Sequence, residues 1–412
     1  VHLVISPELI TGVQVRCAVA GTTGKLTVQV AVAPGVARVS GVARHADREV
    51  QAEADVAEGA GTAELTFDIP DCPLWSPASP VLWDLSLTAH DASGAAVDAV
   101  SLRTGVREVR VHGQQLLLNG QPLILKGFGK HEDSPLHGRG LNLPQLVKDF
   151  QLLKWCGANS VRTSHYPYGT EFYDLADEMG VLVIDEVFSI NLDFRKITDA
   201  GLAAHKQAVS QLIARDGHHP CIIAWSLANE PGYLGEGVYV QRSRPYWQEL
   251  FAHARALDPT RPLTHANVQY ASLNDPAFEV SDFVSINRYY GWYTVPAQLD
   301  RAIERLNADF DYIAAAHGKP IFVAEFGADA LAGSHATYPQ LFTEEFQADF
   351  IAAYWAAIIA HPAVVGGHVW NFADFRTAQH GRRVVYNLKG VFTRDRTPKM
   401  AAWRVRELWG SP

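Results

Sequence analysis

Cysteine is scarce in this chain. Four residues in 412, at positions 17, 72, 156 and 221, include no Cys-x-x-Cys pair, so buried free thiols are expected rather than a disulfide framework or a zinc site. Methionine is scarcer still, at two, and neither opens the chain. Val1 starts inside a strand-like pattern, and the natural N-terminus is expected upstream, with no leader readable. No apolar run approaches the length of a membrane span, so neither a membrane partner nor a transmembrane segment is expected. Positive charge is in deficit: 35 Lys and Arg against 44 Asp and Glu give −9, which argues against a nucleic-acid partner. Low-complexity linkers and internal repeats are missing, as is any set of residues with metal-ligand spacing. No cofactor is implied, and a cytoplasmic location is the expectation. What is present, 48% hydrophobic and 19% charged residues, is the composition of a globular enzyme.

The first hundred residues alternate apolar and polar at period two between turns rich in Gly, Ala and Asp, as at 14–19, 26–30, 63–67 and 82–87. About seven such strands predict an immunoglobulin-like β-sandwich over residues 1–106. A hairpin of 109–111 with 115–118 follows, its turn expected at Asn119-Gly120. Past Pro122 the pattern becomes strand–helix alternation. Strands are expected at 123–127, 160–162, 181–184, 222–227, 262–265, 283–286, 321–324 and 367–370. Helical periods fall at 143–155, 203–214, 246–257, 299–315 and 344–359. Eight strands separated by helices predict an α/β fold, a (β/α)8 TIM barrel over residues 107–412. A doubly wound open sheet is the alternative, but it would carry a glycine-rich nucleotide loop after its first strand; here that strand runs into Gly127-Phe128-Gly129-Lys130-His131-Glu132-Asp133.

Two glutamates each follow an apolar, strand-like run: Glu230 after Ile222-Ile223-Ala224-Trp225-Ser226-Leu227-Ala228-Asn229, and Glu325 after Ile321-Phe322-Val323-Ala324. Barrel enzymes place their chemistry where strands end, on the C-terminal face. Two carboxylates converging there are the equipment for cleaving a glycosidic bond. Glu230 is the candidate general acid and then base, kept protonated by apolar surroundings or by the charge of Glu325. Glu325 is the candidate nucleophile. Asn229 stands where its amide reaches a sugar hydroxyl beside the reacting carbon. A single strand-end glutamate is as often a salt-bridge partner; two, at the fourth and seventh strands, favour chemistry.

Longer motifs add a family. Gly129-Lys130-His131-Glu132-Asp133, Gly157-Ala158-Asn159-Ser160-Val161-Arg162-Thr163-Ser164-His165-Tyr166-Pro167-Tyr168 and Asn287-Arg288-Tyr289-Tyr290-Gly291-Trp292-Tyr293 are three of them. Val369-Trp370-Asn371-Phe372-Ala373-Asp374-Phe375 and Asn387-Leu388-Lys389-Gly390-Val391-Phe392-Thr393-Arg394-Asp395-Arg396 complete the set. With these the chain resembles family 2 glycoside hydrolases, most closely the bacterial β-glucuronidases. The resemblance implies a retaining hydrolase of terminal β-D-glucuronides, whose partner is a small glucuronide or an oligosaccharide. It also implies a possible homo-oligomer.

The same resemblance supplies further site residues. Asn387 and Lys389 match a pair understood to bind the substrate carboxylate, and Arg383 an arginine placed near it. The chemistry is apt, since a uronic acid differs from a neutral hexose by a carboxylate, and choosing it takes a cation and a directional donor. His131 and Asp133 resemble residues of the sugar pocket, and Arg162 and His165 follow the second strand near the nucleophile. Tyr289 and Tyr293 resemble tyrosines that hydrogen-bond nucleophile or sugar. Trp370 would floor the pocket under the apolar face of the ring, with core packing an equal alternative. His218-His219-Pro220 precedes the fourth strand, on the opposite rim, and reads as a turn. The family normally begins with a jelly-roll domain that has no counterpart here, and a short 186–191 segment suggests an open mouth and larger aglycones. A β-galacturonidase, a β-galactosidase and an inactive carbohydrate-binding fragment stay open as alternatives.

Overall fold

A computed structural model describes residues 9–410, apart from positions 58, 233–235, 339, 380–382 and 384. Its first part is a sandwich of antiparallel sheets. Strands Ile10–Ala20, Thr23–Val32 and Thr62–Ile69 form one, and Arg38–His45, Arg48–Asp55, Trp83–His90 and Ala96–Thr104 the other. Period-two alternation does the folding. In Thr62–Ile69 every second residue is buried, so Ala63, Leu65, Phe67 and Ile69 meet Val39, Leu85 and Leu87 from the other sheet.

A small three-stranded sheet (Val109–His112, Gln115–Leu118, Gln121–Pro122) leads into the barrel. The expected hairpin is there, but its turn is at Gly113-Gln114; Asn119-Gly120 makes the next turn, both residues at positive φ (51° and 76°). Two turn signals four residues apart compete, and Asn-Gly is the stronger in sequence.

The barrel closes from eight parallel strands in chain order: Leu125–Lys130, Ser160–Thr163, Leu182–Glu186, Ile222–Asn229, Leu263–Asn267, Val284–Asn287, Ile321–Phe326 and Val364–Val369. The fourth strand is buried at all eight positions, as expected where helices cover the outside. Those helices carry their own punctuation. Asn142, Thr198 and Thr343 cap the starts of Leu143–Trp155, Asp199–Asp216 and Glu344–Ala360 by accepting from the third backbone N–H beyond. Gly180 and Gly318, at φ 68° and 63°, end two others. Among the described residues no helix is long and apolar enough to cross a membrane.

The sandwich seats against the end of the barrel where the strands begin. Arg107, fully buried, donates to the carbonyls of Pro220 and Ile222, where the fourth strand begins. Trp75 donates its indole N–H to Asp177 O, and Thr104 its hydroxyl to His218 O. His219 is engaged with Asp177 (2.6 Å), so the His218-His219-Pro220 segment is a structural corner at this junction.

Candidate active site

All eight strands end on one rim, and Glu230 and Glu325 both line a cavity of about 450 Å³ there. Their surroundings differ. Glu325, near the end of the seventh strand, accepts two hydrogen bonds, from Arg162 Nη2 at Oε1 and from Tyr289 Oη at Oε2 (2.6 Å), with His165 Nε2 standing 3.9 Å from Oε1. Arg162 also bonds Glu186 (2.7 Å), and His165 Nδ1 donates to that same carboxylate (2.8 Å). Burial disfavours the Arg162 charge, but Glu186 and Glu325 outweigh it and raise its pKa. Burial likewise works against the Glu186 anion, yet Arg162 and the His165 hydrogen bond bring its pKa down to about 2. Two carboxylates sharing one guanidinium form a rigid ionic frame behind Glu325.

Glu230 sits just past the fourth strand in a left-handed backbone conformation (φ 46°), which non-glycine residues adopt at a cost of about 1–2 kcal/mol. Its backbone N–H donates to Ala266 O, and Asn287 Nδ2 donates to its carboxylate at 2.9 Å. No cation pairs with it among the described residues. Burial, then the charge of Glu325, push its pKa up to about 7, while Asn287 pulls the other way. One carboxyl is thus met by an arginine and a tyrosine donor, and the other is poised to carry a proton near neutrality.

Asn229, the last residue of the fourth strand, lines the cavity, its Oδ1 3.4 Å from Asn287 Nδ2 and 3.5 Å from Arg162 Nη1. Trp370, from the end of the eighth strand, lies 5% exposed in the cavity wall and stacks on His165 at 5.0 Å. Glycines make room for it: a Cβ at Gly129 would stand 2.5 Å from the Trp370 ring, and one at Gly327 2.1 Å from its carbonyl. His131 also lines the cavity, against Phe375 (4.3 Å between rings), and burial lowers its pKa well below the usual value, so it is a neutral imidazole.

Tyr289, Tyr293, Arg383 and Asn387 complete the wall on the other side. Arg383 donates to Tyr293 Oη at 2.5 Å. Two sequence expectations are placed differently. Lys389 is fully buried but does not line the cavity: its ammonium is bound by Asp329 and lies 4.9 Å from the ring centres of Trp292 and Tyr293. Burial lowers its pKa to about 8, with Asp329 opposing the fall. Asp133 also faces away, its carboxylate clamped by Arg394 at 2.6 and 3.0 Å. The cause is the same for both: an oppositely charged residue distant in sequence claims the side chain. Conversely, Glu186, Asn287 and Asp329 hold the site together without having been singled out from sequence. Glu186 and Asn287 occupy strand ends, the position that identified Glu230 and Glu325.

Family models agree with this architecture. Residues 109–411 match "Glycosyl hydrolases family 2, TIM barrel domain", and residues 2–107 match "Glycosyl hydrolases family 2". A β-glucuronidase of Paenibacillus borealis is 39% identical over 366 residues, covering 86% of this chain and 60% of that protein. The human β-glucuronidase is 36% identical over 363 residues, covering 85% and 54%. The chain therefore spans between half and two thirds of these relatives' length. Among solved structures, a Bifidobacterium dentium β-glucuronidase complexed with coumarin-3-O-glucuronide superposes with a TM-score of 0.92 at 37% identity, over 98% of this chain and 67% of that one. A Ruminococcus gnavus β-glucuronidase in complex with D-glucuronic acid does so with a TM-score of 0.87 at 34% identity, over 97% and 67%.

Proposed function

This chain belongs to glycosyl hydrolase family 2, and from that premise we propose that it is a retaining β-glucuronidase, cleaving terminal β-D-glucuronides by double displacement. Glu325 attacks the anomeric carbon while the Glu230 proton passes to the departing oxygen as the C–O bond breaks. Water, deprotonated by Glu230, then displaces the glucuronyl group from Glu325 and restores both carboxyls. The reading requires carboxyl groups about 5 Å apart, the short spacing of retaining enzymes. Relatives bearing the name β-glucuronidase support the sugar assignment.

The observation that carries the reading is the wall facing Glu230. Arg383 and Asn387 follow the eighth strand, and the fourth and eighth strands stand opposite each other in the closed barrel. Asp329 lies 3.6 Å from Arg383 and also binds Lys389. Arg383 and Lys389 bring two cations to this side of the cavity, the kind of charge a uronate carboxylate calls for. In this reading Arg383 and Asn387 meet the uronate directly, and Lys389 supplies charge from behind the tyrosines.

Hydrolysis of an aryl β-glucuronide, the corresponding galacturonide and the galactoside tests the assignment. Preference for the glucuronide, its loss in Glu325→Gln and capture of Glu325 by a fluorinated glucuronide are expected. Full activity in Glu325→Gln would remove the nucleophile. A second reading, a family 2 enzyme for another sugar, draws on the neutralisation of Lys389 by Asp329. Unchanged sugar preference in Lys389→Ala together with Arg383→Ala would favour it.

A further inference from the structure

One buried carboxylate behind the cavity wall gathers the segment that follows the eighth strand. Asp329 lies just past the seventh strand, four residues beyond Glu325, and is 3% exposed. Its bonding partners among the described residues all come from positions 383–389. Oδ1 accepts from Leu388 N at 2.9 Å, and Oδ2 binds the Lys389 ammonium and stands 3.6 Å from Arg383 Nη1. The path of the chain does not depend on that carboxylate, because Ala330 N and Lys399 Nζ both donate to Leu388 O. What Asp329 controls is where side chains point.

Asn387 shows the effect. Its Oδ1 accepts from Lys389 N at 3.1 Å, so the acceptor end of the amide is taken and the donor end, Nδ2, is the one left for a ligand in the cavity that Asn387 lines. A carboxylate only accepts, so this orientation suits it and the flipped one would repel it. Lys389 N is placed from both sides by Asp329, which binds the preceding N–H and the ammonium of the same residue. Arg383 is held in turn between Asp329 and Tyr293 Oη. Lys389 itself is fully buried, 4.9 Å from the ring centres of Trp292 and Tyr293, so releasing it would give the substrate no new contact. Burial already brings its pKa down to about 8 against the pull of Asp329. Without that anion the ammonium sheds its proton, and the wall loses a cation.

We propose that Asp329 is the positioning residue for uronate recognition. Through Leu388, Lys389 and Arg383 it aims the Asn387 donor and the Arg383 guanidinium at the carboxylate of the sugar, and it sets the binding of that acid without entering the chemistry. This rests on the glucuronidase reading above.

The test measures kcat and KM for p-nitrophenyl β-D-glucuronide, and the inhibition constant of free D-glucuronate, in the unaltered chain, Asp329→Asn and Asp329→Leu. A contact made equally in the bound substrate and the transition state changes KM and spares kcat. KM and the inhibition constant are expected to rise together, about tenfold or more in Asp329→Leu. A rise of about threefold is expected in Asp329→Asn, whose amide oxygen can keep the bond from Leu388 N. In both, kcat should change by less than about threefold. Neither constant depends on how much of the sample is folded, so a merely structural loss lowers the apparent kcat and leaves both constants unmoved. Should Asp329→Leu fail to fold, the Asn variant decides alone. Constants that hold still, or that fall because Asp329 only competed with the uronate for its cations, overturn the proposal and leave the glucuronidase reading standing. No hydrolysis of the glucuronide by the unaltered chain overturns both.

Discussion

Replacing Glu230 by Gln should make the protein more stable, and increasingly so as pH rises. Glu230 titrates near 4.5 when unfolded and is pushed to about 7 in the fold by burial and by Glu325. A carboxyl with a raised folded pKa exacts no penalty below its unfolded value. The cost grows as pH rises towards the folded value and is then complete. A difference of two to three pKa units corresponds to about 3 kcal/mol, of which under about 1 kcal/mol is already present near pH 5. Gln cannot ionise, so its advantage over Glu should widen by about 2 kcal/mol between about pH 5 and pH 9. Urea unfolding followed by circular dichroism at those two pH values measures the gap. Activity gives a second readout: kcat/KM of the unaltered enzyme should fall as pH rises through about 7, when the acid loses its proton. Asn287→Leu removes a donor that favours the anion, and should shift that fall upward. A stability gap that stays flat with pH would refute the placement of a proton on Glu230.

Other consequences concern the ionic frame. Arg162→Met strands Glu186 and Glu325 without their shared cation; it should destabilise the fold by about 3–5 kcal/mol in denaturant melts, with partial recovery on adding Glu186→Gln. Tyr289→Phe deletes one donor to Glu325; kcat/KM for an aryl glucuronide should drop about tenfold or more with a stability change under about 1 kcal/mol, measured by kinetics and melts in parallel.

Strand order and the strand-end placement of both glutamates were legible because they depend on apolar runs and chain order alone. Boundaries were less so. Fully buried parallel strands lack alternation, and the third strand runs on to Glu186 where apolarity stops at Ile184. Charge partnership was not legible at all. Asp329 binds Lys389 from 60 residues away and Arg394 clamps Asp133 from 261, and no local pattern signals either pair.

The docking of the sandwich has a practical side. Thr104, at the barrel contact, ends the strand Ala96–Thr104, whose nine residues extend on the order of 30 Å. The tight 91–95 turn at its other end therefore points away from the junction, and farther still from the cavity that Glu230 and Glu325 line. An anchoring tag or fluorophore inserted at that tip would tether the molecule to a bead or film with its entrance facing the bulk solution.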